Sequence, residues 1–156
     1  MDDVFLSVIY CDDIRSEVGS KQSYMGVYNF ELIAHEFPLV LPRFFVQATV
    51  RMPITTTAES LKFQVLFDDT IASELPMPDG QLQTMRANLV EKNGDVDSWL
   101  ALGVAFQFQG LNFTKPTKMT VQVIIDGELV KGNALKIKYG EPDSVGAIGF
   151  GVASSE

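Results

Sequence analysis

A single cysteine, Cys11, and a single histidine, His35, are present among 156 residues, and these two scarcities exclude much of the chemistry a small domain can carry. One cysteine leaves no intramolecular disulfide. One histidine leaves no multi-histidine metal site, and a Ser-His-Asp or Cys-His pair would have to recruit His35. That residue sits in Ala34-His35-Glu36-Phe37-Pro38, where it reads as a surface-loop side chain. There is no glycine-rich phosphate loop followed by Lys-Ser/Thr, and the look-alike from Gly146 to Gly151 lacks a strand–helix context. No apolar run approaches the ~18–20 residues of a membrane span. The opening Met1-Asp2-Asp3 lacks the basic region of a signal peptide, so a reducing cytoplasm is the expected compartment. Positive charge is also scarce: 12 Lys and Arg against 20 Asp and Glu give a net charge of −8. Nucleic acid and anionic membrane surfaces are therefore not expected partners. Lys131, Lys136 and Lys138 lie close together and read as the solvent face of one strand.

The hydrophobic fraction of 46% and eleven Phe suffice for one globular core. Its dominant pattern is alternation with period two, the mark of strands with one buried face. Phe44, Val46, Ala48, Val50 and Met52 form one inward set; Leu61, Phe63, Val65 and Phe67 a second, with Lys62 and Gln64 outward. Leu100, Leu102, Val104, Phe106 and Phe108 form a third, and Met119, Val121, Val123 and Ile125 a fourth. Asp126-Gly127 between two apolar runs signals a hairpin with a type I′ turn, and Leu135 to Tyr139 alternates again. Val4–Cys11 and Ser23–Ile33 read as two further strands joined by a loop around Gly19. Only Gln81 to Lys92, with Leu82, Met85 and Leu89 at helical spacing, reads as a short helix or irregular crossover. The expectation is an all-β, antiparallel two-sheet β-sandwich, immunoglobulin-like or C2-like, of seven to nine strands with one short helix near 81–92. A closed barrel is the alternative.

Residues 1–139 are expected to form this domain. The tail, 140–156, turns to Gly, Ala, Ser and Pro. Within it Ile148, Phe150 and Val152 alternate with small residues, so the tail reads either as a frayed end or as a strand that docks on an edge or a neighbour.

The most polar cluster beside an apolar strand is Cys11-Asp12-Asp13-Ile14-Arg15-Ser16-Glu17 followed by Gly19-Ser20-Lys21. Paired carboxylates can bind Ca²⁺ or Mg²⁺ or divide acid and base roles. Neighbours on a strand, however, point to opposite faces, so a structural role is expected: one Asp caps the turn and Arg15 pairs with Asp13 or Glu17. Asp68-Asp69 reads as turn chemistry. A calcium site would need Asp12 or Asp13, Asp68 and Asp69 to meet at one pole, with Asp126 as an optional further ligand. Trp99, Tyr24, Tyr28 and Tyr139 would have to share a face to stack on sugar, although such aromatics are usually core. Cys11 reads as a packed thiol rather than a nucleophile.

The stretch from Cys11 to Tyr28 resembles a family of uncharacterised small proteins from bacteria and their phages. Its pattern runs from an apolar strand into Cys-Asp-Asp-Ile/Val-Arg-x-Glu, then Gly-x-Lys, then an apolar strand ending Gly-Val-Tyr. Here these are Cys11 to Glu17, Gly19-Ser20-Lys21 and Met25-Gly26-Val27-Tyr28. The resemblance implies an all-β fold and no activity, and it makes Asp12, Asp13, Arg15, Glu17 and Lys21 the first residues to test. No cofactor, metal or catalytic residue is expected. The expected function is a non-enzymatic protein-interaction or self-assembly module, with a protein partner or homo-oligomer, as in a phage structural or accessory component. The alternative is a small-ligand or divalent-ion-binding domain, or weak hydrolase, using the Asp12, Asp13, Arg15 and Glu17 cluster.

Overall fold

The computed structural model describes residues 2–93 and 98–141. The first strands are β1 (Phe5–Cys11), β2 (Asp13–Glu17), β3 (Lys21–Met25), β4 (Glu31–Ala34) and β5 (Leu39–Pro53). Next come β6 (Leu61–Phe67), β7 (Thr70–Pro76) and the helix α1 (Gln81–Asn93). The chain continues through β8 (Trp99–Phe113), β9 (Thr117–Ile125), β10 (Glu128–Lys131) and β11 (Leu135–Tyr139). Three sheets result. One has the order β1-β5-β8, one the order β4-β11-β9-β6-β7 with β10 also on β9, and β2-β3 form a small hairpin of their own. Among the described residues the larger sheets keep free edges, so neither closes into a barrel.

The protein is thus mostly β with one short helix, as its alternation implied. All four inward sets appear where the pattern put them: Phe44 to Met52, Leu61 to Val65, Leu100, Leu102 and Phe106, and Met119 to Ile125 are buried in one continuous core. Both larger sheets feed that core. Phe67 of β6 packs on Phe108 and Phe113 of β8, with ring centroids 5.9 and 5.3 Å apart. Leu82 of α1 is buried, and Met85 and Leu89 are half-buried against the same core. Asp126 and Gly127 both take positive φ, 47° and 84°, giving the left-handed pair that a type I′ hairpin demands.

Four expectations need correction. Eleven strands are present among the described residues, not seven to nine. The segment Ser23–Ile33 is not one strand: Gly26, at φ 66°, turns the chain between β3 and β4. The sheets are also not wholly antiparallel, because β4 joins β11 in parallel, from Glu31 opposite Lys136 to Ala34 opposite Tyr139. No hairpin turn fixes the relative direction of two strands so distant in sequence. Of the clustered lysines, Lys136 and Lys138 line the exposed side of β11, where Lys138 pairs with Glu31 at 2.7 Å, but Lys131 belongs to β10. The tail residues Ile148, Phe150 and Val152 lie outside the described residues.

Candidate functional site

The N-terminal polar motif is dispersed by the fold. Asp12 lies between β1 and β2, where its amide donates to the Met25 carbonyl at 3.0 Å. Its Oδ1 accepts the Tyr28 hydroxyl at 2.7 Å. A Cβ on Gly26 would overlap Oδ2 of the same carboxylate, so the glycine is what makes room for it. Burial, then the bond to Asp12, pushes the Tyr28 phenol above its ordinary pKa. Asp13 faces elsewhere: its Oδ1 accepts the Ile14 amide at 2.9 Å and lies 3.1 Å from Arg43. Asp13 therefore pairs with Arg43 of β5 and not with Arg15. Glu17 and Lys21 close the β2–β3 hairpin opposite one another, Arg15 faces Ser23, and Glu17 accepts the Ser23 hydroxyl at 3.0 Å. The two carboxylates diverge, and each already holds a partner within the chain. Arg43, Gly26 and Tyr28 complete the arrangement, and none of them could be assigned to these partners from spacing alone.

Other groupings do not assemble. Among the described residues no three His, Cys, Asp or Glu side chains are placed to hold a metal ion. Asp68 and Asp126 stand at opposite ends of β6, because Phe67 pairs with Met119 and Leu61 with Ile125. Seven residues of strand separate them by ~20 Å, which overturns a calcium site built from both. Asp68 instead accepts the Lys118 amide at 3.0 Å. Asp126 accepts from the amides of Ser60 and Glu59, and these bonds hold its carboxyl below the usual range. The four aromatics share no face: Tyr28 packs on Phe44 near the end of β1, while Trp99 packs on Phe5 at its start. Cys11 is fully buried, and burial, followed by the charge of Asp12, raises its thiol pKa.

What the fold does build is an asymmetry between sheet edges. The edge of β1 is covered. Asn133 accepts the Val8 amide at 2.9 Å and donates to the Val8 carbonyl at 3.0 Å, imitating a strand partner. Tyr10 reaches across to donate to the Asn133 carbonyl at 2.7 Å, and Gly132 allows the close approach, since its Cβ would lie 2.6 Å from Val8 Cγ2. In the second sheet β4 is only four residues long and carries Glu31, while β7 carries Glu74 and ends at Pro76. Short length, charge and proline are the devices that keep edges from pairing. β8 has none of them. Its fifteen residues, Trp-Leu-Ala-Leu-Gly-Val-Ala-Phe-Gln-Phe-Gln-Gly-Leu-Asn-Phe, contain no charge and no proline, and among the described residues it pairs only with β5. Its solvent face is small and polar, with Ala101, Gly103, Ala105 and Gln107 exposed in alternation.

Beside this edge the two sheets leave a cleft of about 290 Å³. Phe63 and Leu75 line it from β6 and β7, Met77 and Met85 from the crossover and α1, and Leu102 and Val104 from β8. Among the described residues no titratable side chain lines it. The arrangement offers apolar burial and unpaired backbone amides and carbonyls, which suits an extended chain better than a reaction.

A family described as a family of unknown function (DUF6941) matches residues 6–138, and the chain belongs to it. No curated protein matches. No helix among the described residues is long and apolar enough to cross a membrane.

Proposed function

We propose that this member of the family is a non-enzymatic self-assembly or protein-interaction module that works through the free edge of β8. The observation that carries the reading is the contrast between edges: β1 is covered at Val8 by Asn133, β4 and β7 are short or charged, and β8, fifteen uncharged residues long, has no partner strand on its other side among the described residues. An open edge of this kind is a template for another strand. Net charge supports the same reading. Copies carrying −8 repel one another, and the repulsion is least where a face carries no charge. The reading takes the two larger sheets as halves of a β-sandwich spanning residues 1–139, with the tail 140–156 as a separate segment. A bacterial or phage-infected cytoplasm, and a structural or accessory role there, fit this reading.

The reading that places ligand chemistry at Asp12, Asp13, Arg15 and Glu17 has less support, because Asp12 and Asp13 are engaged with Tyr28 and Arg43.

Light scattering after size exclusion tests the proposal. The full chain is expected to elute as a defined oligomer. Replacing the exposed Ala105 and Gln107 together by Lys should give a monomer with unchanged circular dichroism. Because added lysines reduce the net negative charge, loss of association could not be ascribed to general repulsion. A full chain that stays monomeric at high concentration, or a double-lysine variant that associates as before, would refute the reading.

A further inference from the structure

We infer that the outer face of the β1-β5-β8 sheet docks an acidic, extended segment of a partner protein, at a site made by Phe5, Arg51 and Trp99. This concerns the face of the sheet and not its edge, so it goes beyond the pairing of β8 and stands apart from it. The even-numbered residues of β5 from Phe44 to Met52 are in the core, which leaves its odd-numbered residues from Arg43 to Pro53 on the outer face. Cross-strand partners share a face, which adds the odd-numbered residues of β1 from Phe5 to Cys11 and of β8 from Trp99 to Gln109. On this whole face Arg43 and Arg51 are the only charged side chains, although the chain carries 20 acids.

The two ends of the face are built alike, and one of them is already occupied. At that end Arg43 lies over the Phe45 ring, 5.0 Å from its centroid, and Asp13 of β2 supplies a carboxylate 3.1 Å away. β2 contacts β5 there, and Cys11 and Phe45 are buried although they belong to the outer face. At the other end Arg51 stands directly opposite Phe5 on one side and Ala101 on the other. The rings of Phe5 and Trp99 meet there with centroids 6.1 Å apart, and the two residues are 57% and 48% exposed. Among the described residues no carboxylate forms an ion pair with Arg51. The chain thus displays at one end the element that satisfies an arginine beside a ring, a strand bearing a carboxylate. The second end has the arginine and the rings without the strand.

Charge selects the occupant. A guanidinium holds a carboxylate in a fork of two hydrogen bonds. A neutral partner would bury Arg51 unpaired, and a basic one would meet like charge. An exposed ion pair by itself contributes little, so packing of the partner over Phe5 and Trp99 is needed to exclude water from it. Aromatic rings and arginine in a patch otherwise poor in charge are the composition of an interface centre.

Trp99 is the sole tryptophan, so its emission reports this site. The probe is a phage-displayed library of random twelve-residue peptides panned on the full chain, with an enriched peptide then synthesised and titrated. Peptides carrying Asp or Glu among apolar residues are expected, with a shift of Trp99 emission that saturates. Arg51→Gln, a change at an exposed side chain, should leave the melting temperature unchanged and weaken binding at least about tenfold. Replacing the peptide's Asp or Glu by Asn or Gln should weaken binding to the wild type by a similar factor and to Arg51→Gln hardly at all. Enrichment of peptides without a carboxylate, no enrichment above an uncoated surface, unmoved emission, or equal affinity for wild type and Arg51→Gln would each overturn the inference. So would saturation of the same emission by polygalacturonate with no acidic peptide enriched, which would give the face to an anionic sugar.

Discussion

Replacing Gly26 by alanine isolates the claim that the Asp12 motif is architectural. Two costs follow from the geometry. Gly26 sits at φ 66°, a left-handed conformation that costs an L-residue about 1–2 kcal/mol. The new Cβ would also overlap Asp12 Oδ2 and lie 2.8 Å from its Cγ, so the carboxylate must move off the Tyr28 hydroxyl. Loss of a hydrogen bond to a charged group costs about 1–2 kcal/mol in this half-exposed setting. The sum, about 2–4 kcal/mol, would lower the melting temperature by roughly 5–15 °C in a chain of this size. Urea unfolding followed through the sole tryptophan, Trp99, measures it. In an Asp12→Ala background the overlap is gone, and Gly26→Ala should cost only the backbone term of about 1–2 kcal/mol. Equal cost in both backgrounds, or no cost in either, would refute the account of Asp12, Gly26 and Tyr28 as one unit.

Asn133→Ala strips the partner from both Val8 backbone groups and should destabilise by about 2–3 kcal/mol in urea titration, with more aggregation from the uncovered β1 edge. Asp126 has a lowered carboxyl pKa, so its contribution is present above the unfolded value and lost as pH falls through the folded one. Asp126→Asn tolerates the left-handed turn and should make the acid limb of the stability profile shallower below about pH 4; an unchanged limb counts against the turn bonds. Cys11 is fully buried with a raised pKa, so a thiol reagent should react negligibly with the native chain and with one equivalent in denaturant.

Strand identity was legible wherever one face was buried. The alternation of Phe44 to Met52 and of Met119 to Ile125 had only one reading, and Asp126-Gly127 specified its own turn. β7 was not legible: nearly all of Thr70–Pro76 is exposed, so neither side selects apolar residues. β2 was hidden because Arg15 and Glu17 lie on an exposed hairpin. Gln64 alternated as an outward residue and is outward, yet it is buried, bonded to Gln122 at 2.8 Å and to Glu74 at 2.5 Å; cross-strand partners of that kind leave no trace in a single strand's pattern. The site was half legible. The alternating run from Leu100 to Phe108 stood in the sequence as a core strand, but whether it was central or an edge depended on pairing with residues far away. The same holds for Arg43, which takes the place expected of Arg15 beside Asp13.

The central claim is that β8 is an edge left open for another chain. Hydrogen–deuterium exchange of the full chain at low and high protein concentration tests it most directly. Amides of Trp99–Phe113 that point away from β5 should exchange rapidly in dilute solution and become protected as concentration rises, while the Val8 amide bonded to Asn133 stays protected throughout. Exchange in β8 that does not depend on concentration, or concentration-dependent protection confined to other strands, would contradict the account.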